Sequence, residues 1–260
     1  MTLGAAEAHV RPYVTADRER VRSICFETGH MGEPVGWMWS DAESFADMFS
    51  GYYTDVEPES AYVVEVDGTV EGYLLGCVDS SRAWDVGSVA ARHVLRRGLA
   101  VRRGTAGAVW RSVGDAALDR VRGRSRPSDF EFHDPGYPAH LHIDLMPAAR
   151  GSGMGRRLVE TWFDRLRGHG VAGCHLQTFA ENRGGIAFFE SVGFRRHGIA
   201  PAVPGWRTRA GERMHVQTMV ADLGRAEPAR RRQSRETGIF VEPAAASSAC
   251  GTRTSSTPSR

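Results

Sequence analysis

The run Ala139-His-Leu-His-Ile-Asp-Leu-Met alternates polar and apolar residues with period two. It reads as a strand with His140, His142 and Asp144 on one face and Leu141, Ile143 and Leu145 on the other. Imidazoles and carboxylates are the groups that exchange protons near neutral pH. Three polar side chains on one face of a central strand are costly to bury unless they are satisfied or line a cleft. His142 and Asp144 rank together as candidate general bases, followed by His140. The competing reading is a structural network of hydrogen-bonded histidines with Asp144 as a strand anchor, because such networks also perturb pKa values.

Six residues beyond Asp144 stands Arg150-Gly-Ser-Gly-Met-Gly-Arg156, followed by a segment with Leu158, Trp162 and Leu166 on one helical face. A strand that ends in a glycine-dense turn and opens a helix presents unpaired backbone N–H groups at a positive dipole end, a site for phosphate or pyrophosphate. The turn is not a P-loop, since all 33 basic residues are arginine and the chain has no lysine. Nor does it match the dinucleotide fingerprint, because Gly151 and Gly153 are followed by Gly155 and not by a glycine at 156.

The elements that must hold these residues follow from periodicity and turn chemistry. A short strand spans His9 to Tyr13, and a helix capped by Thr15 carries Val21, Ile24 and Cys25 and fades at Gly29. Residues 37–53 are rich in aromatics (Trp37, Trp39, Phe45, Phe49, Tyr52, Tyr53) and form either a helix on the core or a substrate wall. Asp67-Gly68 between two β-rich runs predicts a type I′ hairpin. Residues 84–126 repeat apolar positions every four residues on either side of Arg102-Arg103-Gly104, predicting a helical pair. After the central strand come a helix from Arg156 to Arg167, a strand from Val171 to Phe179, a helix from Gly184 to Val192 and a last strand from Met214 to Val220. The fold class is mixed α/β (α+β).

Arg150-x-x-Gly153-x-Gly155 between strand and helix resembles the acyl-CoA pyrophosphate loop of the GCN5-related N-acetyltransferase (GNAT) family. Ile143-x-Leu145-x-Pro147 is similar to that family's fourth strand, and Asn182 with Phe188, Gly193 and Phe194 is similar to its following segment. The resemblance spans about residues 9–222, with 84–126 as an insertion before the fourth strand. Cys25-Phe-Glu-Thr-Gly, the hairpin and Tyr137-Pro-Ala-His-Leu-His-Ile-Asp-Leu further resemble bacterial acetyltransferases related to the acetyltransferase-like domain of eukaryotic O-GlcNAcases.

The resemblance implies a mostly antiparallel central sheet whose fourth and fifth strands splay around acetyl-CoA. It implies that Leu145, Met146 and Pro147 pair with the pantetheine, and that Arg150, Gly151, Ser152, Gly153, Met154, Gly155 and Arg156 hold the pyrophosphate. Asn182 and Phe188 complete the cofactor site. The reaction implied is direct attack of an amine on the thioester. In the family a tyrosine often protonates the leaving thiolate, but Phe189 stands at that position here and has no hydroxyl. A catalytically silent acyl-CoA-binding or protein-interaction module is therefore the alternative reading. His-x-His-x-Asp also opens the zinc motif of metallo-β-lactamases, but Leu145 replaces its last histidine and no metal site is assigned.

Composition sets the wider frame. The chain has 260 residues, 31 acids and a formal net charge of +2, enough length for one domain with an appendage. Arginine in place of every lysine fits the codon usage of a GC-rich bacterial genome. Residues 82–126 carry eleven Arg against three Asp, and residues 225–260 carry seven Arg against three Glu, so the remaining body is acidic. That balance suits a cationic acceptor, either a small-molecule amine or a protein or peptide amine. The domain is expected over 9–224, between a flexible N-terminus at 1–8 and a disordered tail at 225–260. A basic run without interleaved aromatics makes nucleic acid an unlikely partner. No apolar run is long enough to span a membrane, and no leader is evident, so a cytoplasmic protein, with a homodimer allowed, is expected. Cys25, Cys77, Cys174 and Cys250 lack metal-site or disulfide-framework spacing and are expected to be reduced.

Overall fold

A computed structural model describes residues 7–124 and 130–224. These lie within one unit, Met1–Ala226. The tail expected to be disordered, Cys250 and residues 1–6 of the expected flexible N-terminus fall outside the described residues.

The chain runs β1 (Ala8–Pro12), α1 (Arg18–Thr28), α2 (Ala42–Ala46), a π-helical turn at Asp47–Gly51, α3 (Tyr52–Asp55), β2 (Ala61–Val66) and β3 (Thr69–Cys77). It continues with α4 (Val86–Arg96), α5 (Ala106–Val121), β4 (Ala139–Leu145), α6 (Met154–Gly168) and β5 (Gly173–Phe179). The last elements are α7 (Arg183–Ser191), β6 (Arg195–His197), β7 (Ala202–Arg207) and β8 (Arg213–Asp222). The hairpin between β2 and β3 is as the sequence requires: Asp67 and Gly68 have φ of 48° and 79°, both in the left-handed region that a type I′ turn demands.

The sheet order is β1-β2-β3-β4-β5-β8-β6, with β7 on β8. Every pairing is antiparallel except β4 with β5, which is parallel and ends after Ala139↔Cys174 and His140↔His175. Beyond those two pairs β4 follows β3 as far as Leu145↔Gly72, while β5 follows β8 as far as Phe179↔Val216. Each strand keeps one partner and abandons the other, so a wedge opens between them. Apolar side chains cover both faces of the sheet. On one, α6 and α7 bury Leu158, Trp162, Leu166, Ile186 and Phe189 against Leu74, Leu141 and Leu176. On the other, α1, α2 and α3 bury Val21, Ile24, Phe45 and Tyr53 against Val63, Tyr73 and Leu75.

Close packing on the first face yields a stability test. A Cβ at Gly76 would lie 2.5 Å from the Trp162 ring. Gly76→Ala is therefore expected to destabilise by about 1–3 kcal/mol, read as a lower urea midpoint at unchanged slope.

Two local expectations are corrected. Thr15 does not cap α1: Thr15–Asp17 forms a short 3-10 turn, and Asp17 is held by Arg11 at 2.7 Å while accepting from the Val14 N–H. The first strand begins at Ala8, where it pairs with Val66. Residues 84–121 do form two helices, and ion pairs tie them to the body: Arg97 and Arg102 bind Asp41, and Asp115 and Asp119 bind Arg207 and Arg213. No described helix is long and apolar enough to cross a membrane. Cys25, Cys77 and Cys174 are buried and unbridged.

Candidate active site

The wedge is the mouth of a cleft of about 2280 Å³ lined by β4, β5, the glycine turn, the start of α7 and the inserted segment. That exceeds the usual ~300–1,000 Å³ of a single-ligand pocket and leaves room for two ligands.

The glycine turn fits an anion. Gly153 is the N-cap of α6 with φ 82° and no side-chain cap, and Gly151 has φ 73°. Among the described residues no acceptor takes the N–H groups of Gly151, Ser152, Gly153, Met154, Gly155 or Arg156; the next N–H, that of Arg157, goes to Gly153 O. Six uncommitted donors at a helix N-terminus form a concave positive surface without help from any side chain. Gly155 also lets α6 approach: a Cβ there would sit 3.2 Å from Phe188 and 3.3 Å from Leu145. The two arginines are turned elsewhere. Arg150 donates to Leu145 O at 2.9 Å and Gly32 O at 2.7 Å, tying the loop after α1 to the end of β4, and Arg156 donates to Ser191 O.

Backbone groups of β4 also face the wedge. Met146 N–H bonds Glu71 O, continuing the β3 ladder. Antiparallel alternation then points the N–H and C=O groups of Ile143 and Leu145 away from β3, toward the gap. Asn182 caps α7, its Oδ1 accepting from Gly185 N–H at 3.0 Å; it lines the cleft with Phe188. Phe189 is buried against Phe188 and Phe194.

The polar face of β4 lies on the α1–α3 side, where Asp144, His142 and His140 stand beside Tyr73, Leu75 and Cys77. Tyr73 donates to Asp144 Oδ2 at 2.6 Å. Burial raises the Asp144 carboxyl to about 7, against the pull of the Tyr73 and Thr28 hydroxyls and Arg150. Burial likewise lowers His142 to about 4 and holds His140 well below the usual imidazole range. Both nitrogens of His140 are engaged, with Tyr53 Oη and Ser80 Oγ each at 2.6 Å. His142 makes no hydrogen bond to a described residue and packs edge-on against Tyr53.

The three candidates thus share one face but not one environment: His140 is a bound network member, His142 an uncommitted neutral ring, and Asp144 a carboxyl poised near neutrality. No group of three His, Cys, Asp or Glu among the described residues could hold a metal. Sequence reasoning missed three residues here, Tyr73, Ser80 and His175, and named Tyr53 only as part of an aromatic-rich stretch. His175 bonds Tyr137 O and lies 5.5 Å from the His140 ring. Only the aromatic density near Tyr53 gave any signal.

Residues 121–194 match the acetyltransferase (GNAT) family. The chain is 38% identical over 87 residues to the N-alpha-acetyltransferase RimI of Mycobacterium tuberculosis (strain ATCC 25618 / H37Rv), covering 34% of this chain and 48% of that protein. It is 35% identical over 89 residues to an uncharacterized protein of Mycobacterium leprae (strain TN), covering 34% and 21%. The matched stretch thus spans less than half the length of either curated relative. The crystal structure of SsHAT superposes with a TM-score of 0.56 at 26% identity, covering 84% of this chain and 99% of that one.

Proposed function

We propose that the chain, whose residues 121–194 match the GNAT acetyltransferase family, transfers the acetyl group of acetyl-CoA to an amine by direct attack. The observation that carries this reading is the row of six uncommitted N–H groups at the start of α6, opening beside the wedge between β4 and β5. The likeness to an N-alpha-acetyltransferase supports an amine as acceptor.

Gly151 to Arg156 hold the pyrophosphate through backbone N–H groups, and Arg150 fixes the loop that carries them. Ile143 and Leu145 offer backbone donors and acceptors to the pantetheine and a donor to the developing oxyanion. Acetyl-CoA supplies a thioester whose C–S bond breaks as the amine nitrogen forms the new C–N bond. Of the two N–H protons an ammonium acceptor must lose, one leaves through Asp144 to solvent and one ends on the thiol. Asp144 suits the first task because a carboxyl near pH 7 is both sufficiently ionised and sufficiently basic. His142, neutral and weakly basic, orients the acceptor. Phe189 cannot donate the second proton, and the modest pKa of a thiol makes that donor the least needed.

Phe189 also favours a second reading, a chain that binds acyl-CoA without transferring it. Calorimetry with acetyl-CoA and thiol release across an amine panel separate the two. Binding with thiol release supports transfer, binding without it supports the silent reading, and no binding at millimolar acetyl-CoA removes both.

Tyr73 positions the base. Its hydroxyl stabilises the Asp144 carboxylate, so Tyr73→Phe is expected to move the acidic limb of the kcat–pH profile upward while leaving acetyl-CoA affinity unchanged. An unmoved limb would detach Tyr73 from the base.

A further inference from the structure

Beyond the glycine turn the cleft is walled by rings from five segments of the chain: Phe49 and Tyr53 on one helical stretch, Trp84, Phe132, Phe179 and Trp206. The Phe179 and Trp206 rings are 4.9 Å apart, and Phe132 lies 4.6 Å from the His175 ring. The floor is made of the imidazoles His140, His142 and His175 beside Asp144. Asp85, also in the lining, is occupied as the cap of α4, accepting from the N–H groups of Gly87 and Ser88.

The inserted helices build this wall. Asp115 of α5 accepts from Gly205 N–H at 2.8 Å and pairs with Arg207 at 2.7 Å, bracketing Trp206. Gly205 has φ 81°, and a Cβ there would run into Ser112 of α5. α5 therefore fixes β7 so that Trp206 lines the cleft, its ring against that of Phe179. Trp84, at the start of the insertion, and Phe132, just after it, also line this space.

Resting on the acetyl-transfer reading, we infer that this part of the cleft is an acceptor subsite for a compact primary amine joined by a short chain to an aromatic ring, and that the inserted helical pair serves as its specificity element. Ring walls offer such a ligand stacking and edge contacts. Its ammonium group is attracted both to ring faces and to the carboxylate on the floor. A polar peptide backbone would leave its amide groups facing apolar rings without partners. The chemistry is unchanged: the amine nitrogen gains the acetyl group that coenzyme A loses, coenzyme A leaves as the thiol, and one proton is released.

The test uses the full chain with acetyl-CoA and three acceptors: 2-phenylethylamine, n-butylamine and a peptide beginning with alanine. The expected kcat/KM for 2-phenylethylamine is about 10- to 100-fold above that for n-butylamine, the effect of burying a phenyl group. Tryptophan fluorescence should report 2-phenylethylamine binding directly, without turnover. Trp206→Ala should raise KM for 2-phenylethylamine about tenfold or more without changing acetyl-CoA affinity, and Trp206→Phe should restore most of it. Preference for the alanine peptide or for n-butylamine, with acetyl-CoA bound and turned over, overturns the aromatic acceptor and leaves acetyl transfer standing. Failure to bind acetyl-CoA overturns the reading on which the subsite rests.

Discussion

Asp144→Asn is expected to lower kcat by about 10²- to 10⁴-fold, the usual contribution of a positioned general base, while leaving acetyl-CoA affinity unchanged. The carboxyl must be ionised to accept the ammonium proton, so wild-type kcat should rise with pH and level off above about 7. In the asparagine variant that limb should vanish. The same substitution has a second readout that does not involve turnover. Burial raises this group from 3.8 to about 7, so between those values the native state keeps a proton that the unfolded chain releases. Its stabilising contribution is therefore full below about pH 4 and is lost as pH rises through 7. Relative to the asparagine variant, the wild type should lose up to about 4 kcal/mol of unfolding free energy over that window. His140 and His142 shift the other way, but they are present in both proteins and drop out of the difference. Full turnover in the variant removes Asp144 from the mechanism; a flat stability difference removes its raised pKa.

How much of this was legible depended on whether a signal was local. β4 was readable because one of its faces is polar and the other apolar, and the hairpin because only residues tolerating positive φ occupy its turn. β7 was not: Ala-Val-Pro-Gly-Trp-Arg contains Pro204 and Gly205, which argue against a strand. It exists because β8 pairs with it and Asp115, some ninety residues away in sequence, holds Gly205 and Arg207. The Thr15 cap failed for a different, local reason: residues 15–17 close a 3-10 turn in which Asp17, held by Arg11 six residues earlier, accepts from the Val14 N–H.

The site divides the same way. The glycine turn could be read as an anion cradle from backbone physics alone. That Arg150 binds the carbonyl of Gly32 could not be, because only the folded chain brings residues 32 and 150 together. Likewise, the spacing of His140, His142 and Asp144 placed them on one face without distinguishing them. What separates them is the company each keeps: two hydroxyls for His140, none for His142, and Tyr73 with burial for Asp144. Residues 84–126, conspicuous in sequence for their arginines, matter in the fold for Asp115, Asp119 and Trp84.

Gly153→Asp is expected to weaken acetyl-CoA binding by about 10²-fold or more, for two separable reasons. The residue has φ 82°, which costs an ordinary side chain about 1–2 kcal/mol and biases the turn away from the conformation that aims the N–H groups of residues 151–156 outward. The carboxylate also adds like charge where the pyrophosphate would sit, a repulsion of up to about 4 kcal/mol at contact distance near a protein surface, reduced by salt. Gly153→Ala isolates the first effect and should cost about tenfold in affinity. Beyond its chain neighbours nothing lies within 4 Å of a Cβ at this position, so the added Cβ opens onto free space, and both variants should retain the wild-type far-ultraviolet spectrum. Calorimetry at two ionic strengths then tells strain from charge: the extra loss in the aspartate variant should shrink as salt rises, whereas the alanine loss should not. Wild-type affinity in both variants would show that the phosphates are not held by this turn, whose left-handed N-cap and six uncommitted N–H groups are the basis of the assignment.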